Sequence, residues 1–197
     1  MGWLEGLTTL LLAVVAVPMT KAEGATLWEA LGAPGPEPSR AAKLGLYEPL
    51  LGSWRVEVVD YLDDGSKRTQ VGEWHFAWVL EGRAIQDVFI VPVRSQRKPG
   101  EEPGAGNRYG STMRVYDPRT DVWNVTWNNP VTGAFNRLVG RKVGDDIVQE
   151  GRDDTGALVR WSFREITPRS FHWLGEVSKD DGKTWHLAVE FFARRME

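Results

Sequence analysis

The stretch Val71 to Val91, VGEWHFAWVLEGRAIQDVFIV, constrains this chain more than any other. It reads as two strands joined by a tight turn at Glu81-Gly82. With a two-residue loop, Leu80 faces Arg83, and the pairs run on as Trp78–Ile85, Phe76–Asp87 and Trp74–Phe89, since directly opposed residues share a face. That face gathers aromatic and large apolar side chains around a single carboxylate, Asp87. It cannot be left in water, so further sheet must cover it or curl around it.

The rest of the chain supplies that sheet. From Leu51 onward, turn signals recur about every ten to twelve residues and no helical period appears. The pattern predicts strands over 52–61, 70–80, 83–93, 108–117, 121–128, 134–143, 146–152, 157–166, 170–179 and 184–194. Between them stand hairpin residues such as Asp63-Asp64-Gly65, Asp117-Pro118-Arg119-Thr120, Gly144-Asp145 and Asp153 to Gly156. Connections this short make consecutive strands antiparallel neighbours. An open meander of that length would expose two edges and a Trp-rich face, and closure removes both problems. The expected fold is therefore all-β, an antiparallel up-and-down barrel of about ten strands.

Alternation agrees with a wall between core and water. Trp123, Val125 and Trp127 share one face; Val159, Trp161 and Phe163 share another, as do Phe171 with Trp173. Trp185, Leu187, Val189 and Phe191 read as one further row. The exception is Arg94 to Asn107, charged and rich in Gly and Pro, which reads as a mobile rim loop.

The 197 residues then divide into a barrel domain over 51–197, a linker with a short N-terminal helix over 25–50, and residues 1–24. In that last segment the apolar run Leu7 to Met19 is too short to span a bilayer. Its length and Ala22-Glu23-Gly24 suit a signal peptide; Glu5 and the lack of Lys or Arg before the run suit a plain extension, so export and a cytoplasmic location both stay open. After GAPGPEP at Gly32 to Pro38, Ser39 reads as the N-cap of a helix from Arg40 to about Leu46 that covers one barrel end. A net charge of −3 without a basic run argues against nucleic acid as a partner. The absence of cysteine rules out disulfides, thiolate zinc sites and cysteine nucleophiles.

Leu51-Gly52-Ser53-Trp54 at the start of the first strand resembles the Gly-x-Trp signature of calycin (lipocalin-like) barrels. The resemblance implies that Trp54 packs at the closed end with an arginine of the last strand, Arg194 or Arg195, lying across it. Gly82-Arg83, Tyr116-Asp117-Pro118 leading to Trp123, and Glu190-Phe191-Phe192-Ala193-Arg194 extend the likeness over about residues 44–195. Together they resemble a family of bacterial calycin-like barrels defined as a domain of unknown function. It implies the barrel and brings no catalytic residues.

Motifs for chemistry are few. Ser178 to Trp185, SKDDGKTW, fits the Asp-box of sialidases, but it occurs once and without a blade-length repeat, which argues against a glycosidase. It reads as a turn in which Asp180 bonds backbone amides and Gly182 is left-handed. His75, His172 and His186 show no metal-ligand spacing and fall mostly on the outer register, so no metal or cofactor is expected; haem ligation would need an inward histidine. No phosphate-binding Gly-rich loop or serine elbow is present.

The inward polar residues remain. A four-residue loop after Tyr116 would set Tyr116 against Trp123 and Arg114 against Val125, both inward, and Arg137 shares its row with Phe135 and Val139. A buried Asp87 needs a cation, so Arg114 or Arg137 is its expected partner, with Tyr116 nearby. The interior row of Trp74, Phe76, Trp78, Phe89, Trp123, Trp127, Trp161 and Trp173 suits a small, largely apolar, aromatic or polycyclic ligand anchored by Asp87, Arg114, Tyr116 or Arg137. Two alternatives stand beside it. One is a cofactor-independent isomerase or cyclase with Asp87 as acid or base and Tyr116 or Arg114 stabilising charge. The other is an interaction module with a filled core.

Overall fold

The computed structural model describes residues 26–100, 103–104 and 106–197; the leader or extension read at 1–24 lies outside them. Ten strands form: β1 (Gly52–Tyr61), β2 (Lys67–Val79), β3 (Ala84–Val91), β4 (Arg108–Asp117), β5 (Val122–Asn129), β6 (Ala134–Val143), β7 (Asp146–Arg152), β8 (Leu158–Arg164), β9 (Ser170–Ser178) and β10 (His186–Arg195). Each pairs antiparallel with its sequence neighbours, and β1 closes onto β10. The fold is the closed up-and-down barrel that the turn spacing predicts, and no strand edge is left exposed. The β2–β3 register is also as read, with Trp74 opposite Phe89, Phe76 opposite Asp87 and Trp78 opposite Ile85.

The N-terminal segment caps one end. It comprises α1 (Leu27–Leu31), a 3-10 turn at Pro38–Arg40, α2 (Ala41–Leu44) and a 3-10 stretch at Gly45–Leu50. This corrects the single helix expected over 40–46: the Glu37 carboxylate accepts from the Ser39 amide, so Ser39 is itself capped, and Gly45 and Pro49 favour tighter turns than an α-helix. The sequence reading also missed α1, although Thr26-x-x-Glu29 forms a reciprocal capping box that is a legible start signal. The segment docks along the β2–β3 turn through Ala33 N–H to Trp78 O, Leu80 N–H to Leu31 O and Glu37 N–H to Gly82 O, all at 2.9–3.0 Å. Leu44, Tyr47 and Leu50 enter the core.

Trp54 is fully buried at the capped end and donates its indole N–H to Leu50 O at 2.7 Å. Arg195, not Arg194, lies across it, 4.0 Å from the ring centroid, because Arg195 is directly opposite Trp54 in the β1–β10 ladder. Its guanidinium donates to Leu51 O, Pro49 O and Pro168 O, tying β1, the cap and the β8–β9 turn together.

The segment that follows β3 begins at the opposite, far end, and Arg94 and Ser95 then lie against the outer wall beside Arg55 and Glu73. Its start is fastened: Arg94 pairs with Glu73 at 2.7 Å, and Arg97 donates to Val91 O, Pro92 O and Arg108 O.

Candidate functional site

The barrel interior divides along its axis. In the middle and toward the cap, aromatic rings fill it. Trp74 meets Phe76, Phe89, Phe163, Phe171, Trp173 and Phe191 at centroid distances of 4.8–6.2 Å. Tyr47 drops from the cap onto Trp123, 5.1 Å away. Toward the far end the packing opens into a cavity of about 140 Å³. Trp74, Phe89, Trp127, Trp161, Trp173, Val189 and Phe191 supply its apolar lining, and Arg108, Thr112 and Arg114 its polar lining. Such a volume is close to the ~150 Å³ of a cavity that takes one benzene.

Two glycines leave room for the large rings. A Cβ at Gly110, opposite Phe89, would come within 2.5 Å of Trp127 Cη2. One at Gly175 would come within 2.8 Å of both Trp173 Cη2 and Val189 Cγ1. Arg108, Trp127, Trp161 and Val189 are half-buried, so the cavity lies on the side away from the cap.

Arg114 and Asp87 are buried together beside the cavity. Arg114 Nη1 donates to Asp87 Oδ2 at 2.5 Å, and the Thr112 amide donates to Asp87 Oδ1 at 3.2 Å. Both carboxylate oxygens are thus occupied, and the pair is at most 1 % exposed. Arg114 Nε and Tyr47 OH donate to one atom, Gln149 Oε1, at 3.3 and 3.2 Å. Burial pushes the Tyr47 phenol well above its ordinary range, which keeps it a neutral donor. Arg114 lines the cavity and Asp87 does not. Nearer the far end, Asp60 holds Arg68 at 2.9 Å and Arg108 at 2.5 Å.

The residues singled out from sequence separate into three groups. Trp74, Phe89, Arg114, Trp127, Trp161 and Trp173 come together around the cavity. Phe76, Trp78 and Trp123 are buried in the core but do not border it. Tyr116 does stand opposite Trp123, yet it is half-buried near the cap and donates to Asp121 Oδ1 at 2.6 Å, away from Asp87.

Arg137 is a correction. Its row with Phe135 and Val139 faces out, because Asn136 pairs with inward Trp127 and Leu138 with inward Val125. Arg137 is exposed, with its guanidinium 5.1 Å from the Phe135 ring.

A second correction concerns β10. The register shifts between Leu187 and Val189, so Ala188 is an extra residue and the faces exchange there. Val189 and Phe191 point in, while Trp185 stacks on outward Arg160 at 3.9 Å. The same shift puts His186 opposite Val177 on the inner register, where it is exposed at the far rim. His75 and His172 are outward, bonded to Ser53 and Glu73 and to Glu190, respectively.

The sequence reading missed Arg108, Thr112, Gln149, Tyr47 and Asp60. Once Arg114 is set inward, the period of two places Thr112 and Arg108 on the same row, so those two were legible.

The Asp-box segment is a turn with the geometry its residues suggest. Asp180 accepts from the Thr184 hydroxyl and amide and from Ser178 Oγ, which hold its carboxyl at about 2, and Gly182 has φ +86°. An open groove of about 1120 Å³ lies outside the barrel at the cap, between Leu46, Pro49 and the β6–β7 and β8–β9 turns; Lys142, Asp145, Glu165 and Arg195 give it mixed charge. Among the described residues no helix is long and apolar enough to cross a membrane.

No family model matches the chain, and no curated protein does so by sequence. Solved structures do resemble it. Rv2717c from M. tuberculosis is 17% identical with a TM-score of 0.54, over 80% of this chain and 99% of that one. The S-type phycobiliprotein lyase CPES from Guillardia theta is 11% identical with a TM-score of 0.52, over 77% and 90% respectively. At these identities the likeness is one of fold alone, that of a closed antiparallel barrel.

Proposed function

We propose that the protein binds a small, largely apolar aromatic molecule in the far half of the barrel, and that it belongs to the bacterial calycin-like family its sequence resembles. The cavity carries this reading: about 140 Å³, walled by indole and phenyl rings, with Arg108, Thr112 and Arg114 along one row. Its volume suits one aromatic ring inside the wall rather than a polycyclic guest. CPES, a phycobiliprotein lyase, is built on a similar barrel, but at 11% identity the support it lends is that of a shared architecture.

Binding is favoured over isomerase or cyclase chemistry by the state of Asp87. Both its oxygens are engaged and it does not border the cavity, so it is poorly placed to exchange a proton with a guest.

Tryptophan-fluorescence titration with single-ring aromatic compounds tests the reading, alongside native mass spectrometry of the purified protein. Saturable quenching is expected, and Val189→Phe, which adds a ring at the cavity wall, should abolish it without unfolding the barrel. Lack of saturable quenching by any single-ring compound would sink the proposal.

A further inference from the structure

Among the described residues, the inner rows from the Arg114 belt to the far end leave more buried donors than acceptors unpartnered: the Trp74 and Trp173 indoles and the Gln149 amide against Gln70 Oε1. Trp74 and Trp173 are 4 % and 5 % exposed, their rings are 6.2 Å apart, and both line the cavity. Among the described residues neither indole N–H has a partner. An indole nitrogen can only donate, and a buried donor without an acceptor costs free energy, so this pair favours a guest that brings one.

Gln149 Nε2 is a third buried donor without a partner among the described residues. Its orientation is fixed by chemistry, because Oε1 must face Arg114, which has no acceptor to offer.

Charge points the same way. Among the described residues, the inner rows from the Arg114 belt to the far end carry Arg68, Arg108 and Arg114 against Asp60 and Asp87. Both aspartates already have each oxygen occupied by a donor. One positive charge is left over, and Arg108 and Arg114 both border the void.

We infer that the guest is a small aromatic acid, a single ring bearing a carboxylate that accepts from the Trp74 and Trp173 indoles within the field of Arg108 and Arg114. This rests on the binding reading above and adds a headgroup to it.

Three probes of one size separate the two claims: benzoate, toluene and benzylamine, titrated calorimetrically into the full chain. Benzoate should bind at least about tenfold more tightly than toluene, the worth of one hydrogen bond to a charged group. Benzylamine should bind more weakly than either. In a ¹⁵N-labelled sample the Trp74 and Trp173 indole N–H resonances, assigned by their loss in Trp74→Phe and Trp173→Phe, should move downfield on adding benzoate. Trp173→Phe should weaken benzoate by a larger factor than toluene, so that the benzoate-to-toluene ratio falls. Toluene or benzylamine binding as well as benzoate would overturn the acid inference and leave the cavity reading standing. No binding of any probe would overturn both. The wild-type comparison needs no variant, so an unstable tryptophan mutant does not shelter the idea.

Discussion

The Asp87–Arg114 pair invites the sharpest test of how this barrel is held together. Asp87→Asn keeps the shape and still lets an amide oxygen accept from the Thr112 N–H. It removes the charge, and one rotamer sets an NH₂ donor against the Arg114 guanidinium. Arg114 would keep the neutral Gln149 Oε1 and the faces of Tyr47, Phe76 and Phe163, 5.1, 5.3 and 5.8 Å away, to offset a full buried charge. Breaking one side of a buried pair costs about 3–5 kcal/mol. For a chain of this size that lowers Tm by roughly 6–20 °C. Urea unfolding followed by tryptophan fluorescence measures it directly. Asp87→Leu combined with Arg114→Met removes both charges and should recover most of the loss, since an apolar pair needs no desolvation of ions. Arg137→Met, at the other arginine the sequence offered as a partner, should stay within about 0.5 kcal/mol, because that side chain lies on the outer surface. A cost for Asp87→Asn below about 1 kcal/mol, the worth of an exposed pair, would refute the dry interior assigned to it.

Gly175→Ala should cost about 1–3 kcal/mol in urea unfolding, because the new methyl meets Trp173 and Val189 at 2.8 Å; an unchanged midpoint would show that these rings have room to yield. Arg195→Ala should cost about 2 kcal/mol or more through three lost carbonyl contacts and the Trp54 stacking, and a neutral result would remove its role as clasp. Glu73 is held down to about 2, first by its bond to Arg94 and also by His75, below its ordinary 4.5. A lowered native value means that this stability is complete above about pH 4.5 and is lost as pH falls toward 2. Glu73→Gln should therefore lower stability at neutral pH and flatten its decline across that window; parallel acid limbs for the two proteins would count against it.

The fold was legible because its signals repeat. Each strand is flanked by turn chemistry, and the bounds of β1, β4, β6 and β7 coincide with those read from sequence. Hairpin pairing propagates a register from one loop, so Glu81-Gly82 was enough to put Asp87 opposite Phe76, and the loop after Tyr116 enough to put Arg114 opposite Val125. The same logic failed where a loop or a bulge was ambiguous. In β6 the rows Phe135-Arg137-Val139 and Asn136-Leu138-Gly140 are about equally apolar, so alternation could not say which faced in. In β10 one extra residue, Ala188, exchanges the faces with no Gly or Pro to announce it.

The site was legible in its materials but not in its shape. Six of the aromatic and polar residues proposed for it do meet around one cavity, because a period of two along closed strands leaves inward side chains nowhere else to go. Which rings fill space and which border a void depends on residues with little to show in a sequence, chiefly Gly110 and Gly175, which make room for Trp127 and Trp173. The cap matters too. Tyr47 arrives from a segment outside the barrel and shares Gln149 Oε1 with Arg114, joining the cap to the ion pair. That bond is between residues 102 apart, and no local pattern encodes it. It also gives Asp87 a place in the proposed binding mode: Arg114 is held on one side by Asp87 and on the other by the Tyr47–Gln149 bridge, which fixes the guanidinium at the cavity wall. On that proposal the carboxylate is not the anchor for a guest but the group that would hold the anchor still.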